Sequence, residues 1–256
     1  MNYSIILLLF FLLISCKPNN IEVIEKISIE NKEIVVLLHG ILRSNKNMLQ
    51  LEKALKEQDY IVLNISYPST KYSIEDLIVI VKKEIEKNIN DNFTSTENIR
   101  INYIGYSMGG LIARGVANKH NNKTLGKVII IGTPNHGSEV SDDWQNNWFY
   151  KFLFGKAGQE LTTKNIKNLD SALGKVNYTL GVIAGTSNEK YDKWGTDLSV
   201  FKGVINDGRV SVNSAKLEGM KDYIELYLNH YRLPSSPNTI EQILYFLANS
   251  KFKKEN

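Results

Sequence analysis

Residues 105–109 read Gly-Tyr-Ser-Met-Gly, a G-x-S-x-G string with Ser107 at its centre. Alone the string is weak, and its ordinary reading is a loop. Here an apolar strand-like run, residues 99–104, precedes it, and an apolar helical pattern reaching about His120 follows. That context predicts a sharp strand-to-helix reversal that forces the serine into a strained conformation. Gly105 and Gly109 carry no side chains, so strand and helix can approach closely. The hydroxyl is then raised above the carboxyl ends of the strands, where open α/β sheets place ligands. Ser107 is therefore a candidate nucleophile for acyl transfer. Such chemistry needs a base within hydrogen-bond reach, a carboxylate to orient it, and two N–H donors for the developing oxyanion. Met108, next after the serine, supplies one N–H. The loop His39-Gly40-Ile41-Leu42, which follows the first apolar strand, is placed to supply the other.

These groups must be positioned by a regular frame, and the hydrophobic pattern describes one. Residues 34–38, 60–65, 99–104, 127–131, 178–184 and 222–228 read as short strands, the first two buried on both faces. Helical segments alternate with them: residues 45–58; a segment capped by Ser73 with Ile74, Leu77, Ile78, Val81 and Ile85 on one face; the segment after Ser107; and a last helix from Asn238 with Glu241 in a capping-box position. The alternation predicts an α/β fold with a mostly parallel central sheet and helices on both faces. One domain over residues 33–250 is the simplest division, with residues 16–32 as tether or edge strand and 251–256 as a solvated basic tail. Two long inserts, residues 138–175 and 186–221, stand where lids and binding loops commonly occur.

The H-G-x loop, the Y-S-M-G-G elbow and the turn Gly132-Thr133-Pro134-Asn135-His136-Gly137-Ser138 together resemble the α/β-hydrolase superfamily, in particular bacterial lipases and esterases. The likeness is specific at these motifs and loose in the inserts. It implies an α/β-hydrolase fold and makes Ile41, the residue after His-Gly, the second oxyanion donor. It implies a serine hydrolase cleaving carboxylic esters through an acyl-enzyme. Thioester, amide and phospholipid substrates remain open, since the same groups serve all acyl transfers. A different class also remains: a hydrolase-like lipoprotein that only binds a ligand.

In that family the order along the chain is nucleophile, acid, histidine. His39 precedes the serine and reads as a structural member of its loop. His120 lies about 20 Å down the elbow helix at 1.5 Å per residue. His136 is near the right edge, with few acids between it and Ser107. His230, just beyond the last strand, is the expected base. For the acid, Asp222 starts the strand leading toward His230 and belongs at the opposite edge. Asp207, in Asn206-Asp207-Gly208-Arg209-Val210, resembles the family's acid turn, with Asp192 and Asp197 as alternatives.

The rest of the sequence sets bounds. The 256 residues carry a net charge of +4 and no basic cluster interleaved with aromatics, which argues against nucleic acid as a partner. Cys16 is the single cysteine, so there is no intramolecular disulfide, and no ligand cluster or phosphate-cradling loop points to a metal or organic cofactor. Residues 5–14 form an unbroken apolar run ending in Leu13-Ile14-Ser15-Cys16. That run has the length of a signal-peptide core, and its end resembles the lipobox of bacterial lipoproteins, with Cys16 as the lipidated residue. The resemblance implies an exported protein held at the cell envelope by a lipid anchor, although residues 1–4 lack the usual Lys or Arg. An ordinary signal peptide or an uncleaved anchor are the alternatives. Residues 144–154 are rich in aromatics, including Trp148 and Phe149. They read either as an insert helix packed on the core or as a lid or wall contacting an acyl chain. On the second reading Trp148 and Phe149, with Leu42, contact substrate.

Overall fold

The computed structural model describes residues 33–93, 99–121, 123–188 and 198–254. Its elements run β1 (Ile34–Leu38), α1 (Leu49–Lys56), β2 (Ile61–Ile65), α2 (Ile74–Asn92), β3 (Ile101–Tyr106), α3 (Met108–Asn118) and β4 (Leu125–Ile131). They continue with α4 (Glu139–Trp144), α5 (Trp148–Glu160), α6 (Asp170–Leu173), β5 (Leu180–Gly185), α7 (Val212–Ala215), β6 (Asp222–Leu226) and α8 (Pro237–Asn249). The six strands form one parallel sheet in the order β2-β1-β3-β4-β5-β6. This is the fold class that the alternating pattern predicts.

Successive residues of β1 serve opposite faces, as the two-residue period of a strand requires. Ile34, Val36 and Leu38 pack with the buried faces of α2 and α3. Val35 and Leu37 pack with Leu51 and Leu55 of α1 and with Ile243, Phe246 and Leu247 of α8. All five β1 side chains are fully buried; each contributes about 1.5–3 kcal/mol relative to exposure. Helix α2 starts as its sequence dictates: Ser73 Oγ accepts the Asp76 N–H at 3.1 Å. Its buried residues are the predicted five plus Ile89.

Three local expectations need correction. β2 is the edge strand among the described residues and only half-buried over Ile61 to Asn64, since none of them pairs beyond it. The last helix starts at Pro237, with Ser236 at the N-cap position. The fixed φ of proline suits the first helical position. Asn238 therefore lies inside the helix, and Glu241 pairs with Lys253 at 2.7 Å rather than closing a capping box. The basic tail is solvated only in its lysines. Phe252 is buried, its ring centroid 4.8 Å from that of Phe246, and its N–H donates to Asp222 Oδ2 at 2.7 Å. An apolar ring between two lysines outweighs the charge pattern there.

Candidate active site

The elbow begins with β3. Tyr106 ends the strand and Met108 starts α3, so the chain reverses at Ser107 alone. Ser107 takes φ 54° and ψ −128°, a conformation that an L-residue holds only at an energetic cost. Its N–H donates to Ile131 O on β4 at 2.8 Å, which fixes the turn to the sheet. A Cβ at Gly105 would stand 2.3 Å from Gly109 O, and one at Gly109 2.3 Å from Leu38 O. The two glycines are therefore demanded by backbone contact on both sides of the serine.

His230 follows β6 at the same edge of the sheet. Its Nε2 lies 3.1 Å from Ser107 Oγ, and its Nδ1 2.7 Å from Asp207 Oδ2. A carboxylate can only accept, so Nδ1 carries the proton and Nε2 faces the hydroxyl as an acceptor. The second carboxylate oxygen of Asp207 accepts the N–H groups of Arg209 and Val210, at 2.9 and 2.8 Å. That closes the Asp-Gly turn around the acid. Tyr106 donates its hydroxyl to His230 O at 3.0 Å, tying the residue before the serine to the histidine. All three side chains are nearly buried: 8% exposed for Ser107, 6% for His230, 2% for Asp207.

Gly132 makes room for the pair. It takes φ 53°, and a Cβ there would come within 3.2 Å of both Asp207 Oδ2 and His230 Nδ1. The sequence shows this residue only as part of a turn motif. Tyr106 and Gly132 are the supporting residues that sequence reasoning does not single out, since their role depends on contacts with segments far along the chain.

The other histidines lie elsewhere. His39 is buried in the loop after β1: Nδ1–H donates to Gly40 O at 2.9 Å and Nε2 accepts the Tyr67 N–H at 3.4 Å. Its ring stacks on that of Tyr67, centroids 4.1 Å apart, and the Tyr67 hydroxyl donates to His39 O. Burial holds the His39 imidazole below its ordinary basicity, against the opposing pull of its backbone bonds. His120 bridges Tyr103 Oη and Thr124 Oγ1 near the start of the strands. His136 is exposed. Asp222 lies at the start of β6, held by the Phe252 N–H. Asp192, Asp197 and Cys16 lie outside the described residues.

The loop after β1 turns through Gly40, Ile41 and Leu42, with the Arg43 N–H donating back to Gly40 O at 3.3 Å. Leu42 takes φ 54° at the third position of this turn. A Cβ at Gly40 would stand 3.1 Å from Ser107 Cβ, so this loop lies directly against the nucleophile. Ile41 and Leu42 line a cleft of about 840 Å³, open mouth included, that contains Ser107 and His230. The opposite wall is apolar and comes from the first insert: Val140, Trp144, Tyr150, Phe154 and Leu161. Tyr150 and Phe154 stack at 4.4 Å, and the Tyr150 hydroxyl donates to Ser141 Oγ at 3.0 Å.

The expected wall residues Trp148 and Phe149 are not part of it. They stand on the outer side of α5, 76% and 48% exposed. The helical period alternates the faces of an aromatic-rich stretch, so composition alone could not say which rings turn inward. Gly155, with φ 59° and ψ −155°, kinks α5 against Thr70 O. Among the described residues, no group of three or more His, Cys, Asp or Glu is placed to hold a metal ion. Among them, too, no helix is long and apolar enough to cross a membrane.

A parallel sheet with its serine raised on the turn after β3 belongs to the α/β-hydrolase class, hydrolases of the lipase, esterase and thioesterase kind. Within that class the chain belongs to the palmitoyl protein thioesterase family, whose sequence model matches residues 34–179, more than half of the chain. Curated protein sequences give no match. Among solved structures, the mature form of lipase BlEst2 from Bacillus licheniformis is similar with a TM-score of 0.66 at 18% identity, over 86% of this chain and 92% of that one. Phospholipase PlaB from Legionella pneumophila gives 0.58 at 20% identity, over 72% of this chain and 46% of that one. EstA from Clostridium botulinum gives 0.53 at 14% identity, over 85% and 87%. At such identities the likeness is one of fold.

Proposed function

We propose that the protein hydrolyses carboxylic acyl esters through Ser107, His230 and Asp207. The observation that carries this reading is the continuous relay from Asp207 Oδ2 through His230 to Ser107 Oγ, at 2.7 and 3.1 Å. His230 Nε2 takes the hydroxyl proton as Ser107 Oγ attacks the acyl carbon. The N–H groups of Ile41 and Met108, with the N-terminal end of α3, hold the oxyanion. Asp207 keeps the ring in the Nδ1–H tautomer and stabilises the imidazolium. The proton passes to the leaving atom, and a water activated by the same histidine releases the acid.

Thioester hydrolysis is the second reading. The match to the palmitoyl protein thioesterase model favours it, and the same relay serves it. The apolar wall of Val140, Trp144, Tyr150, Phe154 and Leu161 supports an acyl chain as the bound part in either case. Labelling with a fluorophosphonate probe, and a screen of paired oxyesters and thioesters of equal chain length, test both readings. Loss of labelling in Ser107→Ala is expected; labelling that persists overturns the assignment. A lipid anchor at Cys16 belongs to the same proposal, supported by the apolar run of residues 5–14. Its test is incorporation of radiolabelled fatty acid in cells, expected for the natural chain and absent in Cys16→Ala.

A further inference from the structure

The cleft has two chemically different sides. The wall from the first insert is largely apolar, whereas Arg43 stands on the side beside His230. Tyr231, directly after the histidine, has its ring centroid 6.1 Å from the imidazole. The Arg43 guanidinium stands 5.2 Å from the centroid of the Tyr231 ring, and that of Arg209 5.7 Å. Arg209 also donates from Nε and Nη2 to the Tyr231 hydroxyl, at 3.0 and 2.7 Å. Both arginines line the cleft and both are half-buried. Among the described residues no carboxylate forms an ion pair with Arg43. The Arg43 guanidinium, lying over the ring, keeps its in-plane N–H donors for a further acceptor.

The side on which Arg43 stands has a chemical meaning. In acyl transfer the departing atom takes its proton from the histidine, so the leaving group lies beside His230. Arg43 therefore borders the path of the leaving group, and the apolar wall borders the acyl chain. Resting on the acyl-hydrolase reading above, we infer that Arg43 selects substrates whose leaving group carries a phosphate, as a phosphorylated acyl ester or acyl thioester. Guanidinium donors match phosphate oxygens in pairs. The reaction itself is unchanged. The Ser107 Oγ–acyl bond forms as the acyl–oxygen or acyl–sulfur bond breaks. The leaving atom takes the proton from His230, and water then splits the acyl-enzyme.

Two matched substrate pairs test this and separate the sources of phosphate: octanoyl-coenzyme A against octanoyl-N-acetylcysteamine, and 1-octanoylglycerol 3-phosphate against 1-octanoylglycerol. The readout is the ratio of kcat/KM within each pair, so any general loss of activity in a variant cancels. The natural chain is expected to favour the phosphorylated member of at least one pair by about tenfold, mostly through KM. That ratio should fall toward unity in Arg43→Gln, recover in part in Arg43→Lys, and shrink at high salt. Preference in one pair alone assigns the source to the thioester or to the glyceride. A ratio of unity in both pairs, or a preference that survives in Arg43→Gln, overturns the inference. Should Arg43→Gln fail to fold, salt dependence and competition by glycerol 3-phosphate in the natural chain decide instead, and the absence of both overturns it. Absence of fluorophosphonate labelling and of turnover on all four substrates sinks the hydrolase reading, and this inference with it. Labelling and turnover without preference sink this inference alone.

Discussion

His230 is held to Asp207 twice: its ring Nδ1–H reaches the carboxylate at 2.7 Å, and its backbone N–H reaches the same residue's carbonyl at 2.8 Å. The second bond does not depend on the acid. Removing the carboxylate should therefore leave the histidine close to its place and take away only its orientation and charge support. Asp207→Asn and Asp207→Ala should both lose about a thousandfold to ten-thousandfold in kcat. They should differ in stability. The alanine leaves the N–H groups of Arg209 and Val210 without their acceptor, at about 1–3 kcal/mol, whereas the asparagine oxygen can retain them. Urea unfolding of both variants checks the second part, and equal losses would contradict it.

The strain at Ser107 gives a separate signature. With φ 54° and ψ −128°, the residue sits where glycine is at ease. Ser107→Gly and Ser107→Ala should be equally inactive toward esters. The glycine variant should be the more stable of the two by about 1–3 kcal/mol. Thermal or urea unfolding measures the difference, and an alanine variant as stable as the glycine would show that the turn is unstrained.

Acid should loosen the fold through its buried imidazoles. Burial lowers the pKa values of His39 and His120 from the ordinary 6.5, aided at His120 by the charge of Lys82. The unfolded chain takes up these protons near pH 6.5, and the folded chain only at lower pH. Between those values the unfolded state binds more protons, so stability is fully present above the ordinary value and falls as the pH drops below it. For His39 the structural reason is plain: a charged ring would set its Nε2–H against the Tyr67 N–H. His39→Asn should lessen the pH dependence of urea stability in this window, and an unchanged slope would place the acid sensitivity at other groups.

Chain-length preference should reside in the inward rings of the first insert. Phe154→Ala should reduce kcat/KM for long acyl chains several-fold more than for short ones, as lost apolar contact requires at about 0.8 kcal/mol per buried CH₂. Trp148→Ser, on the outer side of α5, should leave that ratio unaltered for monomeric substrates. A series of p-nitrophenyl esters below their micellar concentrations reads both variants. The reverse ranking would mean that α5 turns over when substrate binds.

The frame was legible because parallel strands covered on both faces leave a dense apolar signal. Ile34 to Leu38 is the clearest case, and its position in the sheet made the loop at His39 locatable. The elbow was legible because backbone contact leaves no choice but glycine at 105 and 109. The placement of His230 beside Ser107 rested on a family order along the chain, and the structure brings those residues together. What could not be read depends on contacts between distant segments. Whether Phe252 is solvated depends on the space beside Phe246. Whether Trp148 or Phe154 faces the cleft depends on the rotation of a helix whose aromatic rings point to several sides. The two arginines and Tyr231 come from three separate loops, at 43, 209 and 231, and no local pattern joins them.

The order of the strands also has a consequence for biosynthesis. The serine, its turn and the oxyanion loop are made with β1 and β3, but the imidazole and carboxylate arrive only with the segments around β6. A ribosome-bound chain that has emerged through β4 carries the serine and the oxyanion loop but neither the imidazole nor the carboxylate, since synthesis runs from the N-terminus. Such a nascent chain has no proton acceptor for its hydroxyl. It stays chemically silent toward acyl groups in the compartment where it is made, until translation of the final strand arms it.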